Sequence, residues 1–95
     1  MEISFEGPIF FSPADEDRFF NWLYSLSAFE KVVGSGTALH LHLREPIDLD
    51  TVQQLLILFR RWCVDIAPLL PLKSPSTARF TLWDTELTEA SRSFL

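Results

Sequence analysis

The chain has 95 residues, of which 13 are acidic and 8 basic, for a formal charge of −5, and 47% are hydrophobic, including nine Phe and three Trp. One domain's length with ample apolar material implies a chain that folds alone, and the acidic balance argues against a phosphate-binding or anionic-membrane surface, which needs a basic patch to release counterions. A basic protein partner suits it better. A single cysteine, Cys63, cannot form an intrachain disulfide, and its place on an apolar helical stripe marks it as core. Met1-Glu2 opens no basic leader, and Gln53, Gln54, Pro68 and Pro71 interrupt the longest apolar stretches, so neither a signal peptide nor a membrane span is expected. The expected location is cytoplasmic.

Glu2 to Glu6 alternate, with Ile3 and Phe5 on one side and Glu2, Ser4 and Glu6 on the other, the period of a half-buried strand ended by Gly7-Pro8. Ser12-Pro13 signals a helix start, and a helix from about Pro13 to Leu26 follows. Phe19, Trp22, Leu23 and Leu26 form its apolar stripe, and Asp15, Glu16 and Asp17 crowd its first turn, where the helix dipole favours negative charge. Two β-like runs flank Gly34-Ser35-Gly36 and predict a hairpin, the first run centred on Lys31-Val32-Val33. In the second, Leu39, Leu41 and Leu43 face the core and Ala38, His40 and His42 face away. Asp48 or Asp50 caps a second helix that Pro68 closes, with Val52, Leu55, Leu56, Phe59, Trp62, Cys63 and Ile66 inward and Arg60 and Arg61 in solvent. Beyond Pro68, Pro71 and Pro75 a last strand is expected over Ala78 to Trp83, with Phe80 and Leu82 inward and Trp83 outward. Residues 1–83 then form a single domain, and 84–95 a polar tail.

This order is βαββαβ, an α+β two-layer sandwich of the split-βαβ, ferredoxin-like kind: a four-stranded antiparallel sheet with two helices on one face. Right-handed crossovers are expected to make the first and third strands parallel neighbours. Both helices would then start at the same sheet edge, gathering Glu6, Asp15, Glu16, Asp17, Glu45, Asp48 and Asp50 into one negative rim. Acids at helix starts also serve as caps, so part of this cluster needs no function, but seven exceed what two caps require. The excess fits contact with a positively charged partner.

His40 and His42 share a strand face, yet a metal would need a third ligand that the pattern does not supply, and no metal or other cofactor is expected. His42 and an outward Trp83 are candidate partner contacts. RNA binding on such a sheet stacks bases on aromatics of the central strands, where this chain has Glu2, Ser4, Glu6, His40 and His42, so nucleic acid is not an expected partner. No nucleophile elbow or glycine-rich phosphate loop is present, and no catalytic residue is assigned.

The string Phe5-Glu6-Gly7, Phe11-Ser12-Pro13 with Asp15-Glu16, Phe19-Phe20-Asn21-Trp22-Leu23, Gly34-Ser35-Gly36 and Leu58-Phe59-Arg60-Arg61-Trp62 resembles small bacterial immunity proteins of polymorphic toxin systems, of the kind found in contact-dependent growth inhibition. The likeness spans most of residues 1 to 66. It implies a cytoplasmic protein that binds the C-terminal domain of one cognate toxin, often a nuclease, and blocks it. Contacting residues in those families vary from pair to pair, so none is carried across by position. The alternatives are a phage-type anti-defence inhibitor and a dimeric ligand-sensing domain.

Overall fold

Alternation along Glu2–Glu6 produces strand β1, with Ile3 and Phe5 buried. Ser12 caps helix α1 (Pro13–Tyr24): its hydroxyl oxygen accepts the Asp15 N–H at 3.1 Å, and Pro13 holds the first helical position, where no N–H is needed. Strands β2 (Phe29–Ser35) and β3 (Ala38–Leu43) form the expected hairpin, but its two-residue turn is Gly36-Thr37 and β2 runs on through Gly34-Ser35. Gly36 sits at φ +60° in the first turn position, a backbone conformation that favours glycine. Helix α2 (Leu49–Arg61) buries Val52, Leu55, Leu56, Leu58 and Phe59. Two 3-10 segments, Ala67–Leu72 and Thr81–Trp83, follow. The structure, a computed structural model, describes residues 1–83, and the expected polar tail lies outside them.

The sheet has three strands in the order β1-β3-β2, and β3 is antiparallel to both neighbours. Both helices cover the face carrying Ile3, Phe5, Leu41 and Leu43. Phe5 meets Phe59 of α2 at 4.6 Å between ring centroids, and Tyr24 at the end of α1 meets Phe29 of β2 at 5.3 Å. The opposite face carries Glu2, Ser4 and Glu6 beside His42, His40 and Ala38.

A small α+β fold is therefore present, but the four-stranded ferredoxin-like sheet is not. The missing strand is the last one expected, and local hydrogen bonding explains its loss. Ser74 N–H donates to Thr77 Oγ1 at 2.8 Å, while the Thr77 and Ala78 N–H groups both turn back to Ser74 O at 3.0 and 2.7 Å. Phe80 N–H then reaches Thr77 O and Trp83 N–H reaches Phe80 O, so this backbone is spent on turns rather than a ladder. Arg60, expected in solvent, donates to the Leu82 carbonyl from Nε at 3.0 Å and also from its terminal nitrogen. Trp83 is only 8% exposed; its indole N–H donates to Thr77 O at 2.9 Å and Lys73 covers its ring. The outward anchor assigned to Trp83 is thus a core residue.

The antiparallel register also overturns the parallel pairing of β1 with β3. Glu6 pairs with Ala38 and Glu2 with His42, so the chain leaves β1 at one end of the sheet and leaves β3 at the other. Helices α1 and α2 consequently begin at opposite ends.

Cys63 is a further correction. Helix α2 stops at Arg61, well before Pro68, because Cys63 adopts φ 56° and the chain turns away. Val64 N–H bonds Phe59 O at 2.8 Å and Cys63 N–H bonds Arg60 O at 3.3 Å, the paired closure of a Schellman cap. That geometry places the Cys63 side chain on the surface.

Candidate protein-binding groove at the start of the first helix

The seven acids do not form one rim. Glu6, Asp15, Glu16 and Asp17 lie at the end where α1 begins, and Glu45, Asp48 and Asp50 at the end where α2 begins. Glu16, Asp17, Glu45 and Asp50 are exposed. Glu6 accepts the Thr37 hydroxyl at 2.7 Å. Asp48 accepts the Thr51 hydroxyl and, at 2.8 Å, the Ser27 hydroxyl; these two bonds, the former larger, hold its carboxyl below its ordinary pKa.

Asp15 has a different job. As the third residue of α1 its N–H is taken by Ser12, and its Oδ2 accepts the Phe11 N–H at 3.2 Å, a reciprocal cap. Its Oδ1 accepts the Trp62 indole N–H at 3.0 Å, tying the end of α2 to the start of α1. One carboxylate therefore fixes the backbone of the β1–α1 loop against an aromatic wall.

The loop itself, Gly7 to Ser12, begins as an extension of the ladder. Gly7 N–H donates to Thr37 O at 2.9 Å, so closely that an added Cβ would lie 3.2 Å from that oxygen. Phe10 turns inward onto Phe19 and Phe20, with centroids 5.4 and 6.0 Å away. Its neighbours face out: Ile9 is 78% and Phe11 90% exposed. Between this loop, α1 and the end of α2 lies a groove of about 730 Å³. Trp22 and Trp62 line it, packed edge to face at 6.0 Å, with the Trp22 N–H held by Gln54 at 3.0 Å. Both indole N–H groups are satisfied within the protein, so the rings add apolar surface to the wall. Arg18 and Arg61 complete it, the Arg61 guanidinium lying 5.8 Å from the centre of the Trp22 ring.

The open sheet face carries a smaller polar cluster. His40 Nδ1 is 2.7 Å from Ser4 Oγ, which donates to Glu2 Oε2 at 3.1 Å, and His42 Nε2 is 3.4 Å from Glu2 Oε1. The single Ser4 hydroxyl thus lies between a histidine nitrogen and a carboxylate on an open sheet face. Among the described residues no group of three His, Cys, Asp or Glu side chains is placed to hold a metal ion. His42, half-buried beside Glu2, lies on this face and far along the sheet from the Glu6 end.

Ile9, Phe11, Arg18 and Trp62 were missed as site residues in the sequence reading. A signal was available: Ile9-Phe10-Phe11 is an apolar run confined between Gly7-Pro8 and Ser12-Pro13, in a loop too short to bury three large side chains. Comparison with protein-family models, curated proteins and solved structures finds no match. No helix among the described residues is long and apolar enough to cross a membrane.

Proposed function

We propose that this protein acts by binding another protein, as a cytoplasmic immunity protein that neutralises a cognate toxin domain by occupying it. The observation that carries the reading is the outward placement of Ile9 and Phe11, 78% and 90% exposed, beside a groove walled by two tryptophans. Rigid aromatics around a desolvatable groove are the usual anchors of a protein interface, and apolar side chains held in water gain when a partner covers them. The loop is held in that arrangement by Asp15, so the surface exists before the partner arrives and little ordering is needed on binding. The formal charge of −5 suits a positively charged domain such as a nuclease and speeds the encounter. Exposed Glu16 and Asp17, near the start of α1, contribute to that attraction, whereas the acids at the α2 start lie at the other end of the sheet.

The test is co-expression with the C-terminal ~100–150 residues, a domain-sized piece, of the protein encoded next to this one. Growth arrest by the fragment alone, rescue by this chain and co-purification of the two support the reading. A harmless fragment, or a toxic one that is not rescued, overturns it.

A further inference from the structure

The groove differs from the rest of this acidic surface in the state of its charges. Its three carboxylates already accept hydrogen bonds from the protein: Asp15 from Phe11 N–H and the Trp62 indole, Glu6 from the Thr37 hydroxyl, and Asp65 from Ala67 N–H at 3.0 Å. Its two arginines have no matching carboxylate among the described residues. The ion pairs among the described residues both involve Glu2 on the sheet face, and among those residues no carboxylate lies within 4.0 Å of Arg18 or Arg61. The Arg61 guanidinium lies near the Trp22 ring, which orients its planar fork without using its hydrogen-bond donors.

We infer that this groove seats an extended segment of the partner protein carrying an apolar anchor side chain beside a carboxylate, with the anchor against the Trp22–Trp62 wall and the carboxylate on Arg18 and Arg61. This inference rests on the protein-binding reading above and names the chemistry of the bound segment. A polypeptide is favoured over a small molecule because Ile9 and Phe11, at 78% and 90% exposure, project beyond the wall, and only a larger surface covers them. A carboxylate is favoured because a guanidinium fork pairs with it through two parallel hydrogen bonds, which fixes register as well as adding affinity. Long-range attraction to a positive partner and this local acidic contact are compatible. The first governs encounter and the second selects one segment of the partner.

The experiment uses the full chain and a random dodecapeptide display library as the probe. Enriched peptides are synthesised and their affinities followed by tryptophan fluorescence and calorimetry. The expected consensus is an aromatic or aliphatic residue adjacent to Asp or Glu. The double variant Arg18→Gln/Arg61→Gln, and separately Asp→Asn or Glu→Gln in the peptide, should each weaken binding by at least about tenfold, the loss of one charge-assisted pair. The peptide-side change leaves this protein untouched and keeps the test valid if the double variant is unstable. A basic consensus, no consensus, or affinities within about twofold would overturn the inference. So would a concentration-dependent dimer of this chain that Phe11→Ser disrupts, because the groove would then be filled by a second copy. Rescue of the toxin fragment by the double variant as fully as by the unaltered chain removes the groove assignment and leaves immunity standing. Arginine-dependent peptide binding without rescue does the opposite.

Discussion

Each end of the sheet is organised by an aspartate at a helix start, and the two aspartates achieve opposite results. At the α2 start, Asp48 accepts the hydroxyls of Ser27 and fully buried Thr51, which also lie 3.1 Å from each other. Small polar groups satisfy one another there and close the junction. At the α1 start, Asp15 holds a backbone N–H of the loop and an indole N–H. Those bonds immobilise large aromatic groups and leave Ile9 and Phe11 in solvent. The same side chain thus seals one end and fixes a sticky surface at the other. Stability alone gives no reason for the second arrangement, since exposed Phe and Ile contribute nothing to the core that encloses Phe19 and Phe59.

The largest effect should come from the residue beneath the open end. Phe59 is completely buried, packs on Phe5 at 4.6 Å, and gives its carbonyl to the cap that ends α2. Phe59→Ala should cost about 3–5 kcal/mol, as expected for deleting a buried ring, measured from the denaturation midpoint. A cost under about 1 kcal/mol would mean that the groove end is not built on the shared core, and the contrast between the ends would need another basis.

Removing the two aspartates sharpens the contrast. Asp15→Ala should cost about 1–2 kcal/mol, from the Phe11 and Trp62 N–H groups left without it, and Asp48→Ala about 0.5–1.5 kcal/mol, since the Ser27 and Thr51 hydroxyls still reach each other; only the first should change the Trp62 emission. Acid provides a further test of Asp48. The Thr51 and Ser27 hydroxyls hold the Asp48 carboxyl below its ordinary pKa of about 3.9. Its contribution is therefore complete above that pH and is lost as pH falls through the lowered value. Thermal melts at pH 7 and pH 2 should show a smaller loss for Asp48→Asn than for the unaltered chain. Equal losses would remove Asp48 as a source of acid sensitivity.

How legible these two ends were in the sequence follows from the kind of signal each carries. Ser12-Pro13, the alternation of β1 and β3 and the stripe of α2 are local patterns, and the elements they mark all form. The last strand misled because Phe80, Leu82 and their spacing look like a strand, while the bonds that Thr77 and Ser74 make to nearby backbone give the chain a cheaper turn. The single acidic rim failed for a topological reason: local patterns do not state strand direction, and one wrong direction moved three acids to the far end. The groove was hidden because Trp62 and Arg61 reach Asp15 and Trp22 only through the tertiary crossing of the two helices. Cys63 looked like core because the helical stripe was extended past a stop that a non-glycine residue makes.

That stop carries the third prediction. Cys63 holds φ 56°, a conformation that costs an ordinary L-residue about 1–2 kcal/mol. Cys63→Gly relieves this while loosening the unfolded chain, so the net gain should be about 0.5–1 kcal/mol. Cys63→Ala keeps the Cβ and should gain nothing. Equal melting temperatures for all three proteins would show that the cap is not strained by its side chain.

The smallest expected change in stability belongs to Phe11, and it is the most telling. Phe11 and Phe59 are the same residue, but Phe11 is 90% exposed and Phe59 is not exposed at all. The loop is held through the Phe11 backbone N–H on Asp15, which any non-proline residue provides. Phe11→Ser should therefore leave the melting curve within about 0.5 kcal/mol of the original and leave the groove's walls in place. If the outward aromatic exists for a partner, the same change should weaken binding by roughly thirtyfold, the loss of a hot-spot side chain, measured by calorimetry with the neutralised domain. Unchanged stability with unchanged binding would sink the role given to the loop. A large loss of stability would show instead that Phe11 packs in solution, and the open end would then be closed like the other.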